Sequence, residues 1–394
     1  MENPKRTFPE GFFWGVASSA YQTEGGNTND WSVWERENAT KRGGHPPENY
    51  VSGQAADHFR RFREDFDIAK KLHVNAFRIS IEWSRIEPEE GVIDIEALRH
   101  YRIVAEELRK RGLEPFVTLW HFTNPLWISE MGGWKNPKTV SCFKQYAELV
   151  VRELGDIVKF WIPLNEPVVY AGNSFFSGIW PPGEKNVISF FRVWKNLKRG
   201  HIRAYEKIRE ACPDAQIGIA KSFIFFEAYR SFTGRIFKHI QESFWNFSFL
   251  ERIDRYLDFI GVNYYFRIQL GKERGEKEIS DVGWDTCPYG IYEILTETHK
   301  RFGKPLYVTE NGIADAKDEK RARATRDTIA HMHRAISNGS DVRGYFHWSL
   351  TDNFEWEKGF WPRFGLCEID YETQKRVIRK SALEYMRIAE KNGI

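Results

Sequence analysis

Residues 158–166 read Val158-Lys159-Phe160-Trp161-Ile162-Pro163-Leu164-Asn165-Glu166. The segment is short, almost wholly apolar, and stops abruptly at an amide and a carboxylate. A run without polar alternation suits a strand covered on both faces, as parallel strands are in α/β folds. A carboxylate closing such a strand is costly to leave without a partner. The same design returns at Leu306-Tyr307-Val308-Thr309-Glu310. Similar runs occur at Phe12–Ala17, Ala76–Ile81, Glu114–Leu119, Gln216–Ala220, Phe259–Asn263 and Gly344–Trp348, which brings the expected strands to eight.

Charged stretches with helical spacing lie between these runs. Ala55–Leu72 places Phe59, Phe62, Phe66 and Ala69 on one face, and Ile95–Arg111 does so with Leu98, Ile103, Ala105 and Leu108. Further helices are expected at Lys138–Leu154, Ile188–Ala211, Tyr289–Arg301, Asp318–Ser337 and Lys380–Lys391. Eight strand–helix units in succession predict an α/β fold, a single (β/α)8 TIM barrel over residues 1–394. Length alone would suggest two or three domains of roughly 150 residues. No linker divides the chain, and the polar stretch Gly271–Ser280 is expected to be a surface loop.

Composition narrows the function. With 58 basic and 55 acidic residues the net charge is +3, too balanced for a dedicated nucleic-acid binder. No run approaches a membrane span, and Met1–Glu10 lacks the apolar stretch of a signal peptide. Cys142, Cys212, Cys287 and Cys367 are scattered and form no CxxC pair, so reduced thiols in a cytoplasmic protein are expected and a metal site is not. Phosphate-binding glycine loops are absent, and no cofactor is called for. The aromatic count is high: 15 Trp, 16 Tyr and 30 Phe fill a large core and also offer flat faces to a ligand. Nothing in the sequence sets the oligomeric state.

A barrel places its chemistry just past the C-terminal ends of its strands. Those positions hold Gln22-Thr23-Glu24, Arg78 with Glu82, His121, Asn165-Glu166, Asn263-Tyr264, Glu310-Asn311, and Trp348 onward to Glu355-Trp356. Strands four and seven face each other across the mouth, so Glu166 and Glu310 can approach. Two carboxylates about 5–5.5 Å apart are the machinery of a retaining glycosidase, one as nucleophile and one as acid then base. Their proximity drives their proton affinities apart. Arg78 is positioned to keep the nucleophile charged.

The chain resembles glycoside hydrolase family 1, the β-glucosidase and β-galactosidase group, from Phe8 to about Tyr385. The resemblance rests on Gly11-Phe12-Phe13-Trp14-Gly15 with Tyr21-Gln22-Thr23-Glu24-Gly25, on Phe77-Arg78-Ile79-Ser80-Ile81-Glu82-Trp83-Ser84-Arg85-Ile86 and on Thr118-Leu119-Trp120-His121-Phe122. It continues through Asn165-Glu166-Pro167, Gly261-Val262-Asn263-Tyr264-Tyr265, Val308-Thr309-Glu310-Asn311-Gly312 and Trp348-Ser349-Leu350-Thr351-Asp352-Asn353-Phe354-Glu355-Trp356. It implies an exo-acting retaining β-glycosidase with a small-molecule β-glycoside or oligosaccharide as substrate. Glu166 would be the acid/base and Glu310 the nucleophile. Asn165 would bond the sugar 2-hydroxyl, and Tyr264 would steady the nucleophile. Gln22, His121, Glu355 and the Trp356 indole would hold the outer hydroxyls, with Trp348 as the floor under the ring.

Taken one by one, these residues have plainer readings. His121 alone reads as a core histidine, Trp348 and Trp356 as packing, Gln22 as a loop tie and Glu355 as a solvated charge. Arg78 could pair with Glu82 instead, and one of Tyr264 and Tyr265 should belong to the core. The family pattern is also broken in places. The chain is short, with Lys221–Asp258 compressed, and Pro163 stands where the family usually has Thr, which points to a bulge. Glu355, Pro362 and Phe364 replace the Ser, Lys and Tyr of the 6-phospho-sugar branch, so a neutral sugar is expected. An inactive sugar-binding barrel and a transglycosylase are the competing functions. A charged fraction of 29% with four Met and four Cys leans toward heat stability.

Overall fold

The computed structural model describes residues 6–228, 232–270 and 277–394. Its centre is a closed barrel of eight parallel strands: β1 (Phe13–Ala17), β2 (Ala76–Ser80), β3 (Glu114–Trp120), β4 (Phe160–Leu164), β5 (Gln216–Ala228), β6 (Phe259–Leu270), β7 (Leu306–Asn311) and β8 (Val342–Trp348). Neighbours in sequence are neighbours in the sheet, and β8 returns to β1 through Phe13↔Gly344 to Ala17↔Trp348. The expected eight strands are therefore present. Residues 271–276 of the expected loop and the first five residues lie outside the described residues.

Alternation along each strand separates two apolar layers. Ala76, Phe116, Ile162, Ala220, Phe259, Tyr307 and Phe346 fill the inside of the barrel. The rings interlock there, with Phe116 stacked on Phe160 at 4.1 Å between centroids. Large and small residues must alternate in that space: a Cβ added to Gly15 would lie 2.3 Å from the Phe346 ring. Ile79, Val117, Leu119, Trp161, Ile217, Ile219, Val262 and Val308 face outward against the helices.

Eight longer helices cover that outer layer: α1 (His58–Lys71), α2 (Ile95–Lys110), α3 (Lys138–Leu154), α4 (Val187–Ala211), α5 (Phe232–Gln241), α6 (Tyr289–Phe302), α7 (Arg321–Ser337) and α8 (Lys380–Lys391). Two begin later than their apolar pattern suggests. Ala55, Asp57 and Asp318 have φ of 47°, 50° and 59°, a left-handed backbone that a right-handed helix cannot contain. Phe62, Phe66 and Ala69 of α1 are buried as expected, while Phe59 is half-buried and stacks on His100. In α2 the buried face runs through Leu98, Tyr101, Val104, Ala105 and Leu108. Ile103, expected on that face, is 41% exposed because it lies a half-turn away from Leu98 and Ala105.

β5 and β6 continue past the rim, paired from Phe225↔Arg267 to Ala228↔Leu270. Of the stretch Lys221–Asp258 that the sequence marks as compressed, residues 221–228 continue β5 and most of the remaining described residues are helical, from Phe232 to Glu251.

Candidate active site

The bulge expected at Pro163 is present. β4 pairs with β5 at Trp161↔Ile217, and the next bridge is Asn165↔Ala220. Four steps on β4 thus oppose three on β5, and Pro163, with no N–H to give the ladder, lies within the extra span. The bulge ends at Glu166, whose backbone takes φ 41° and ψ 55° as it caps the short helix Pro167–Phe175. A non-glycine residue in this region costs about 1 kcal/mol or more and persists only where its surroundings hold it. Here the Glu166 N–H donates to the Ala220 carbonyl at 2.8 Å, and the Glu166 carbonyl accepts the N–H of Tyr170.

The two carboxylates have unlike surroundings. Glu310, 4% exposed at the end of β7, receives the Arg78 guanidinium on Oε1 and the Tyr265 hydroxyl on Oε2, the latter at 2.7 Å. Arg78 is itself fixed by Thr118 Oγ1 at 3.1 Å and Asn165 Oδ1 at 2.7 Å. Among the described residues Glu166 receives one side-chain bond, from Asn263 Nδ2 at 2.8 Å. Burial first, then repulsion from Glu310, pushes the Glu166 carboxyl up to about 8. It is therefore protonated at neutral pH and able to donate. Asn263 also donates to Asn165 Oδ1 at 3.3 Å and accepts from Thr309 Oγ1 at 2.7 Å. A continuous line of hydrogen bonds thus joins Glu166, Asn263, Asn165, Arg78, Glu310 and Tyr265.

Tyr264 does not join this line, contrary to the expectation from sequence. Strand alternation turns it outward, where its hydroxyl donates to the Cys287 carbonyl at 2.6 Å and it packs in the outer core. Tyr265, the next residue, faces the barrel interior and takes the place assigned to Tyr264. The sequence places Asn263 at the rim without a role and leaves open which of Tyr264 and Tyr265 belongs to the core; the structure brings Asn263 and Tyr265 into the site. Their spacing of two residues on one strand is the signal that could have found them.

A second group of side chains sits beside the carboxylates. His121 has its Nε2 3.1 Å from the Asn165 amide nitrogen. An amide nitrogen can only donate, so Nε2 accepts and the proton is on Nδ1, which has no partner among the described residues. Burial and the Arg78 charge hold this imidazole well below its usual range, hence neutral. The ring lies nearly parallel to Trp348 at 6.2 Å and to Trp356 at 5.9 Å. Gln22 is fully buried and donates to Asn353 Oδ1, to the Phe354 carbonyl and, at 3.3 Å, to Glu355 Oε2. It is both a loop tie and a neighbour of Glu355. Glu355 is half-buried, and burial followed by repulsion from Glu357 pushes its carboxyl up to about 8.

Arg78 does not pair with Glu82, which is held instead by Ser84 at 2.7 Å and Thr123 at 3.0 Å. Trp180 packs on Trp356 and donates to Glu357 at 2.6 Å. Phe364 lies by Trp284 and Tyr265. Among the described residues no group of His, Cys, Asp and Glu is arranged to hold a metal ion. No helix among them is long and apolar enough to cross a membrane.

The family model described as Glycosyl hydrolase family 1 matches residues 4–231 and 223–394. The chain belongs to glycosyl hydrolase family 1. It is an O-glycosyl hydrolase and a β-glycosidase of that family. Its relatives include Beta-glucosidase A of Thermotoga maritima, 32% identical with 99% of both chains covered. That alignment is 449 positions long against 394 residues here, so this family-1 chain carries deletions. Another is a Beta-galactosidase of Sulfolobus acidocaldarius, 32% identical over 98% of this chain and 96% of that one. Among solved structures, a β-glycosidase from Pyrococcus horikoshii superposes with a TM-score of 0.90 at 36% identity, covering 99% of this chain and 96% of its own. A Thermotoga maritima β-glucosidase in complex with glucoimidazole gives 0.91 at 31% identity, covering 99% and 100%.

Proposed function

We propose that this family-1 chain, as one barrel domain over residues 1–394, is an exo-acting retaining β-glycosidase. It would remove non-reducing terminal β-D-glucosyl residues, and β-D-galactosyl or related ones, by double displacement. The observation that carries this reading is the unlike dressing of the two linked carboxylates. Glu310 has a guanidinium and a phenol to support negative charge, which suits a nucleophile. Glu166 has an amide and a raised proton affinity, which suits a general acid.

In the first step a Glu310 oxygen attacks the anomeric carbon while Glu166 gives its proton to the leaving oxygen. The product is a glycosyl ester on Glu310. In the second step Glu166, now ionised, takes a proton from water as that water attacks the same carbon, and Glu310 leaves as carboxylate. Asn165, held by Arg78 and His121, would bond the 2-hydroxyl. His121 Nδ1–H, Gln22, Glu355 and the Trp356 indole would hold the outer hydroxyls, and Trp348 would lie beneath the ring. Thermophile relatives and the charged composition favour heat stability.

Following the anomeric proton by NMR during cleavage of a nitrophenyl β-glucoside tests this reading. First-formed β-glucose is expected. First-formed α-glucose would overturn the retaining mechanism. Binding without cleavage of glucosides and galactosides alike would favour an inactive sugar-binding barrel, and predominant disaccharide products a transglycosylase.

A further inference from the structure

Beside the strand segment that binds the Glu166 backbone lies a group that packing does not call for. Lys221 on β5 is fully buried. It follows Ala220, the residue whose carbonyl accepts the Glu166 N–H. Strand alternation sends its side chain outward with Ile219 and Phe223, into the layer between the barrel and the helices. There its ammonium lies 5.6 Å from the Phe223 ring centroid and 5.7 Å from that of Trp245. Trp245 in turn packs against Gly172 of the short helix that Glu166 begins. Among the described residues the ammonium makes one hydrogen bond, to the Ser222 carbonyl, and no ion pair. A leucine or methionine would fill such a space without the cost of burying a charge.

We propose that Lys221 is a positioning residue for the acid/base, a buried ammonium that stabilises the carboxylate form of Glu166 in the second half-reaction. The inference rests on Glu166 having the role proposed above. The charged and polar groups around Glu166 come from four strands and one loop. Glu310 on β7 and Glu355 after β8 disfavour its ionisation, and Arg78 on β2 and Lys221 on β5 favour it. Asn263 and Tyr265 on β6 are uncharged. Before the first step Glu310 repels the Glu166 carboxylate, which keeps the acid protonated. Once Glu310 is a neutral ester that repulsion is gone, while both cations remain. Arg78 is occupied by Glu310 and Asn165, so Lys221 is the cation left without a carboxylate of its own. Burial lowers the affinity of Lys221 for its proton and Glu166 raises it again, so the ammonium is strongest when the carboxylate forms.

The test compares Lys221→Met and Lys221→Arg with wild type, each checked for a folded far-ultraviolet spectrum and melting midpoint. With nitrophenyl β-glucoside, the basic limb of kcat/KM should move up by about half to one pH unit in Lys221→Met, as expected when a nearby cation is removed. With dinitrophenyl β-glucoside, whose good leaving group makes breakdown of the intermediate limiting, kcat at neutral pH should fall about 3- to 10-fold. Lys221→Arg should restore both. Limbs that superimpose on wild type in a folded Lys221→Met protein would overturn the proposal, as would an equal loss with both substrates. Glu166→Ala, run in parallel, separates this failure from that of the acid/base reading. If its loss is the same for good and poor leaving groups, the assignment of Glu166 falls, whatever Lys221 does.

Discussion

Tyr264 and Tyr265 are adjacent and chemically identical, and only one of them touches a carboxylate, so removing one oxygen from each gives a crossed experiment. Tyr265→Phe deletes the hydroxyl that donates to Glu310 at 2.7 Å. A hydrogen bond to a charged group is worth about 1.5–3 kcal/mol, against about 0.5–1.5 kcal/mol for a neutral one. If the bond serves the transition state, kcat/KM should fall about 10- to 100-fold, at about 1.4 kcal/mol per tenfold. The ring stays between Trp284 and Phe364, so the fold should be little affected. Tyr264→Phe deletes a bond to the Cys287 carbonyl, in the outer core and away from both carboxylates. Its cost of about 1 kcal/mol should appear as a melting midpoint lower by about 1–3 °C, with kcat/KM within twofold of wild type. Steady-state kinetics on nitrophenyl β-glucoside and a thermal melt of both variants complete the test. A large activity loss in Tyr264→Phe with Tyr265→Phe unaffected would refute the assignment of these side chains to opposite faces of β6.

Other outcomes follow from the same geometry. The acid must carry a proton, and Glu166 is pushed up to about 8, so kcat/KM should hold near neutrality and fall as pH rises through that value. A basic limb below pH 6 would contradict it. Glu166→Ala should spare the first step for good leaving groups and lose it for poor ones, as the leaving-group dependence of kcat/KM would reveal. Glu310→Gly should lose hydrolysis and regain turnover with azide as an α-glycosyl azide, detectable by NMR; its absence would count against Glu310 as nucleophile. Glu355→Ala removes a group expected to grip the sugar and should lower kcat/KM for glucosides by about 1.5–3 kcal/mol, or 10- to 100-fold.

The barrel was legible because its strands are short and apolar on both faces, and because polar groups appear together at their ends. Glu166 and Glu310 stood out as carboxylates terminating buried runs, and Pro163 announced its bulge by the N–H it lacks. The two tyrosines were not separated because the motif carried the role to Tyr264, although counting along β6 from Val262, which faces outward, puts Asn263 and Tyr265 inside and Tyr264 outside. Ile103 was misplaced because an apolar side chain tolerates exposure, so hydrophobicity alone does not fix a helix face. The extensions of β5 and β6 were missed because Lys221, Ser222 and Arg267 interrupt their apolar character. Past Lys221 and Ser222 the apolar run resumes on β5, where Phe223, Ile224, Phe225 and Phe226 are buried.

The left-handed backbone at Glu166 has a consequence for how such a protein changes under selection. The position asks for a residue without a Cβ, and its surroundings ask for one without a charge. Glycine meets both demands and abolishes the proposed acid. A library screened for survival of heating, with no requirement for turnover, should therefore drift to glycine at 166 and gain on the order of 1 kcal/mol of stability. Heat stability and acid catalysis pull this one residue in opposite directions, so a stabilising programme for this fold should hold position 166 fixed and seek its gains elsewhere.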